Sequence, residues 1–239
     1  MTTPRDDVFA TIRRSLGVSG RERIRRDIVA DRLQRAPTGV VPQRGQGEDS
    51  ERLAVFRREA EAAFATVTEV ESSADVPRAV ADYLRGHNVP AAVRMGDDPR
   101  LKDLPWAETA LEISRGRSEG GDLNAVSHAF GGVAETGTLV MVSGPENPST
   151  LNFLPDNHIV VVAAKDIAGD YETVFARVRE AYGKGEMPRT VNFITGPSRS
   201  ADIEQTLLLG AHGPRRLHIV VVHGEPSAER RDTASRQTT

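Results

Sequence analysis

The residues best able to carry chemistry fall in four short clusters in the second half of the chain. The first is Gly131-Gly-Val-Ala-Glu-Thr-Gly-Thr138, where Glu135 sits between glycines and is followed by Thr136, Gly137 and Thr138 at the head of an apolar run. Glycine lets backbone turn tightly and approach a ligand, so a carboxylate held there can act as a nucleophile or general base. The same Glu135 can instead accept hydrogen bonds from the amides of its own turn. The second cluster, Ser143 to His158, reads S-G-P-E-N-P-S-T-L-N-F-L-P-D-N-H. Its prolines and self-bonding side chains describe an ordered loop, with Asn152, Asp156 and His158 available to line a pocket. His158 directly precedes an apolar strand, where a ring bonded to a nearby carbonyl is the alternative to catalysis.

The third cluster, Thr195-Gly-Pro-Ser-Arg-Ser-Ala-Asp-Ile-Glu204, follows a strand and is expected to open a helix over 199–209. Free amides and the helix dipole at such a start favour phosphate or carboxylate, contacted at Gly196, Ser198, Arg199 and Ser200. Helix capping by Ser198 or Ser200 fits the same spacing. The fourth cluster, Leu209-Gly-Ala-His-Gly-Pro-Arg-Arg216, brings His212 and Arg215 either to that crevice or to the turn at the amino end of the last strand. No G-x-x-x-x-G-K-[S/T], no G-x-G-x-x-G after a strand and no H-E-x-x-H occurs.

Composition narrows the chemistry further. The 239 residues include six His and no Cys. Without thiols there is no disulfide, no thiolate nucleophile, and no Cys ligand for zinc or an iron–sulfur cluster. The histidines show no metal-ligand spacing, and no metal site is expected. With 31 basic and 34 acidic residues, the net charge of −3 offers no general field for nucleic acid. Residues 1–60 are more basic, with thirteen Arg against nine acids, but over 21–35 no aromatic residues interleave with the arginines as an RNA or membrane surface would want. No apolar run reaches membrane-span length and Met1–Asp7 has no apolar signal core, so a cytoplasmic protein is expected.

The elements that must position these clusters follow from periodicity. Residues 4–16 and 21–35 predict two amphipathic helices, a helical arm over 1–35 that can dock on a neighbour or fray in solution. The Pro/Gly-rich stretch 36–49 reads as a linker. Helices are expected over 50–66, 75–86 and 170–182, and strands over 89–94 and 109–114. Buried strands are expected at Thr138–Ser143, His158–Ala164, Thr190–Thr195 and Leu217–Val222. Runs that are apolar on both faces and alternate with helices predict an α/β fold with a largely parallel sheet covered on both sides. The single domain spans 50–224, and the polar tail 225–239 reads as disordered.

Taken in order, A-E-T-G-T (134–138), N-F-L-P-D-N-H (152–158), T-G-P-S-R-S-A-D-I-E (195–204) and L-G-A-H-G-P-R (209–215) resemble the LUD domain family, in its lactate utilisation protein C group. The likeness covers about residues 50–222 and is strongest from 125 onward. It implies a three-layer α/β sandwich similar to the NagB/RpiA/CoA-transferase group, and a part in oxidising L-lactate to pyruvate. It also implies two partner proteins with cysteine-rich and iron–sulfur motifs. A chain without Cys is then a component of that system with the clusters on its partners, itself offering a small anion or cofactor pocket. Two other readings remain. A stand-alone acyl or sugar-phosphate enzyme would use Glu135 as CoA transferases use their glutamate, although Thr136 replaces the usual Asn. A metabolite-sensing module would bind without chemistry. Oligomer formation is compatible with each.

Overall fold

The computed structural model describes residues 3–201 and 207–224. An arm of two helices opens the chain. Helix α1 (Pro4–Leu16) starts at a capping box between Thr3 and Asp6 and ends at the left-handed Gly17. Helix α2 (Arg23–Arg35) follows, and neither buries a residue, so Phe9, Ile12, Ile24 and Leu33 stay exposed. The Pro/Gly-rich stretch after them lies on the core. Gly39 N–H donates to Glu172 (3.0 Å), Gln46 Nε2 donates to the Asp170 carboxylate (3.0 Å), and the turn Gln43–Gly45 buries Gly45.

The core then runs α3 (Asp49–Ala62), β1 (Thr66–Ser72), α4 (Val76–Gly86), β2 (Ala92–Met95), α5 (Pro99–Lys102), β3 (Glu112–Arg115), β4 (Asn124–His128), β5 (Gly131–Val133), β6 (Thr138–Val142), β7 (Asn157–Ala163), β8 (Ile167–Ala168), α6 (Tyr171–Tyr182), β9 (Val191–Ile194), β10 (Arg199–Ala201), β11 (Leu207–Leu209) and β12 (Arg216–Gly224). Six strands in the order β1-β12-β7-β4-β2-β3 form a sheet that is parallel throughout.

Both faces of this sheet are covered, which is why β7 and β12 are apolar on both sides. On one face Val76, Val80 and Leu84 of α4, with Trp106, pack against Ile159, Val161 and Val220. On the other, Phe56 and Ala60 of α3 and Leu139 and Met141 of β6 pack against Val160, Val162, Ile219 and Val221. Each fully buried Leu, Ile or Phe contributes about 1.5–3 kcal/mol. A second sheet, β8-β5-β6-β9, lies on this side, and α6 closes its outer face through Val174 and Val178 against Val133 and Val140. The fold is therefore α/β, with a parallel sheet between helical layers and a small mixed sheet added to one of them.

Two sequence expectations change. Strands β6 and β9 belong to the second sheet, where β6 runs antiparallel to both β5 and β9. Only Ala134–Gly137 separates β5 from β6, far too little chain for the crossover that a parallel pair requires. The helix expected over 199–209 is replaced, among the described residues, by an antiparallel pairing of β10 with β11, with Arg199 opposite Leu209 and Ser200 opposite Leu208. Tertiary hydrogen bonds override the local pattern here. Ser198 N–H donates to the Pro214 carbonyl (2.8 Å) and Gly210 N–H to the Ser198 carbonyl (2.9 Å), which holds the two arms side by side. Residues 202–206 and the tail 225–239 lie outside the described residues.

The register sets up two ends for the sheet. Asn124, Asn157 and Arg216 align at the start of β4, β7 and β12, and these strands finish at His128, Ala163 and Gly224.

Candidate functional site

At the amino ends of β7 and β12, loops from three of the sequence clusters enclose a cleft of about 300 Å³ whose polar lining includes Asn152, His158, Thr195, Ser198, Arg199 and His212. His158 is wholly buried; its Nε2 is 3.1 Å from Ser127 Oγ, and its Nδ1 has no partner. Asn152 Oδ1, also buried, has none either. A buried polar atom left without a partner costs about 1–3 kcal/mol, and these two share one wall of the cleft. Burial pushes His158 down to about 3, which leaves it neutral and able to give or take a hydrogen bond but not to supply charge. Positive charge enters at the exposed Arg199, whose guanidinium lies 5.6 Å from the Phe64 ring centre. Ser198 Oγ accepts from His212 N–H at 3.3 Å and joins the two loops across the cleft.

A chain of hydroxyls leads away from this cleft. Thr195 Oγ1 is 2.6 Å from Thr138 Oγ1, which is 2.7 Å from Thr136 Oγ1, and the Tyr171 hydroxyl lies 3.0 and 3.1 Å from Thr136 and Thr138. Next to Thr136 stands Glu135, 4% exposed, with Arg44 Nε 4.0 Å from its Oε2. The turn that carries Glu135 is fixed by Gly137, whose φ of 61° is left-handed and where a Cβ would sit 2.1 Å from Ala60 N of α3. Gly45 lies over the same turn, so close that a Cβ would be 2.0 Å from the Gly169 carbonyl oxygen.

The LUD domain model matches residues 53–222. The chain belongs to the LUD domain family. Among curated relatives, Lactate utilization protein C of Geobacillus thermodenitrificans is 33% identical over 144 residues, covering 53% of this chain and 60% of that protein. Lactate utilization protein C of Geobacillus kaustophilus is 30% identical over 177 residues, covering 66% and 72%. The alignment thus spans less than two thirds of the Geobacillus thermodenitrificans protein. A crystal structure of a DUF162 family protein from Deinococcus radiodurans superposes with a TM-score of 0.53 at 24% identity, over 74% of this chain and 99% of the other, and shares the fold.

Within the LUD domain, the sequence-predicted residues separate into three groups. Asn152, His158, Gly196, Ser198 and Arg199 line the cleft together. Thr136 and Thr138 form the hydroxyl chain, and Glu135 lies beyond it rather than in the cleft lining. The others hold structure. Gly137 seats its turn on α3. Asp156 is exposed, and its carbonyl accepts from Arg215 and Arg216 N–H at 2.8 and 3.1 Å. Ser200 sits in the β10–β11 ladder. The anion site expected at a helix N-terminus is therefore corrected, because among the described residues 199–201 and 207–209 are strands, and any anion there must rely on side chains and loop amides. Sequence reasoning missed Tyr171 and Arg44, which meet the Glu135 turn only through tertiary folding. It also missed Asp98, Arg100 and His128 at the opposite end of the sheet, where Asp98-Pro99 is a legible helix start. No helix among the described residues is long and apolar enough to cross a membrane, and none of their His, Asp and Glu side chains group as a metal site.

Proposed function

We propose that this LUD chain is a cluster-free component of a cytoplasmic L-lactate utilisation system, which oxidises L-lactate to pyruvate together with iron–sulfur and cysteine-rich partner proteins. In this reading the amino-end cleft holds a small anion. The likeness to proteins named Lactate utilization protein C supports the role. The observation that carries the cleft is the pair of orphaned buried atoms, Asn152 Oδ1 and His158 Nδ1, in one wall. Arg199 and Ser198 would meet the anion at the mouth, with His158 and Asn152 bonding its polar atoms inside. Glu135, the sequence neighbour of Thr136 at the far end of the Thr195–Thr138–Thr136 chain, is the acid–base candidate. Removing two electrons from lactate requires an acceptor, and a chain with no Cys has no thiolate to hold an iron–sulfur cluster, so the electrons pass to the partners.

The test is reconstitution. The purified chain alone should not reduce an artificial acceptor with L-lactate, whereas the chain mixed with its iron–sulfur and cysteine-rich partners should, and deleting its gene should abolish growth on lactate. Lactate oxidation by the isolated chain would overturn the component role.

A further inference from the structure

The carboxyl ends of the parallel strands, opposite the cleft, carry a second set of polar groups. Open α/β sheets bind ligands beyond these ends. Here two adjoining hollows of about 470 and 380 Å³ share Arg100 and His128 as common walls. The larger also meets Asp98 and Asn147, and the smaller meets Lys165, Asp166 and His223.

The shared wall is firmly built. Asp98, 4% exposed, accepts from Arg100 N–H at 2.9 Å, and its two oxygens take the Arg100 side chain at Nε (2.9 Å) and one Nη (2.6 Å). This two-point grip fixes the guanidinium fork, which has five N–H donors and so keeps others for a ligand. His128 is 8% exposed, and its Nδ1 lies 2.7 Å from the Ala129 carbonyl oxygen. A carbonyl only accepts, so the ring carries its proton on Nδ1 and Nε2 offers a lone pair. Burial and then the Arg100 charge push His128 down to about 4, which keeps the ring neutral at pH 7. The crevice thus presents a fixed acceptor next to a fixed cationic donor.

The geometry points to a binding site for a small 2-hydroxycarboxylate in this crevice, its hydroxyl donating to His128 Nε2 and its carboxylate accepting from Arg100. The corresponding 2-oxo acid has no O–H to donate and would set a keto oxygen against the Nε2 lone pair. Inorganic phosphate would engage Arg100 with no fixed demand on the histidine. The assignment deepens the lactate reading and rests on it for the choice of L-lactate as probe.

The full chain, labelled with nitrogen-15 at histidine, is titrated with L-lactate, pyruvate and inorganic phosphate while the ring nitrogens are followed by NMR. L-Lactate should shift His128 Nε2 saturably and bind at least about tenfold tighter than pyruvate. Arg100→Gln should lose that saturation, while Arg58→Gln, exposed on α3 and away from both hollows, keeps it. The lactate-to-pyruvate ratio is read on the unaltered chain, so it holds even where a variant fails to fold. No saturable shift at His128, or equal affinity for all three probes, would overturn the site. If that occurs while gene deletion still abolishes growth on lactate, the crevice assignment falls and the component role stands. If deletion leaves growth on lactate intact, the component role falls on its own.

Discussion

At the amino end of the parallel sheet, His158 is sealed from solvent with Nδ1 unpartnered, whereas at the carboxyl end His128 has spent Nδ1 on a carbonyl and lines two hollows. Burial keeps both rings neutral, down to about 3 and about 4. Their surroundings differ. The amino end is made from loops, hydroxyls and an amide, with Arg199 the one charged group among the described residues of the cleft lining. The carboxyl end sets its histidine against the Asp98–Arg100 ion pair. One end therefore presents neutral hydrogen-bonding groups, and the other a charge fixed by its own counter-ion. The lesson is that a neutral histidine serves opposite purposes depending on which ring nitrogen the fold has already used.

The sharpest way to break the comparison is to unseat the amino end. Gly137→Val forces a β-branched residue into a left-handed turn against α3, and urea unfolding should show a loss of about 3–5 kcal/mol. A variant as stable as the parent would mean that α3 does not fix the Glu135 turn. Next in size is the response to acid. The folded values of His158, His128 and His218 are about 3, 4 and 4, all depressed from an ordinary value of 6.5. The unfolded state therefore binds more protons, and the stability these rings contribute is complete above about pH 6.5 and lost as pH falls through their folded values. Between pH 7 and pH 4 each ring accounts for a loss on the order of 3 kcal/mol, so His158→Gln or His128→Asn should flatten the pH profile by that amount. An unchanged slope in either variant would show that its ring is protonated in the fold.

A smaller effect separates an occupied cleft from a merely imperfect one. Asn152→Leu removes an orphaned acceptor, so thermal or urea unfolding without ligand should show a gain of about 1 kcal/mol while lactate-dependent growth declines. A loss of stability would assign Asn152 to structure instead. The smallest change belongs to Arg44→Ala: the arginine is 59% exposed and 4.0 Å from Glu135, so stability should move by less than about 0.5 kcal/mol. A larger shift would show that the ion pair is shielded from solvent.

Much of this was legible in the sequence where one physical cause acted alone. Strands β7 and β12 announce themselves because both faces are covered, so apolar residues run unbroken. Strand β4 does not, because Asn124-Ala-Val-Ser-His128 buries polar side chains whose partners come from elsewhere: Asn124 donates to the Pro90 and Ala92 carbonyls, and Ser127 meets His158. Nor does strand β1, whose Val67 and Val70 stand three positions apart and pack on opposite faces of the sheet, so no period of two shows. The leucines of 207–209 suggested a helix, and pairing with 199–201 overrode that preference. The cleft was legible because its residues come from dense motifs. The carboxyl-end crevice was not, since Arg100 and His128 sit 28 positions apart and only the sheet brings them together.

The turn Gln43–Gly45 gives Glu135 a roof that the LUD match, beginning at residue 53, does not include. The cover over the carboxylate is thus built from chain outside the matched domain, so exchanging a few residues around Arg44 would change access to Glu135 while every packing contact inside that domain stays as it is.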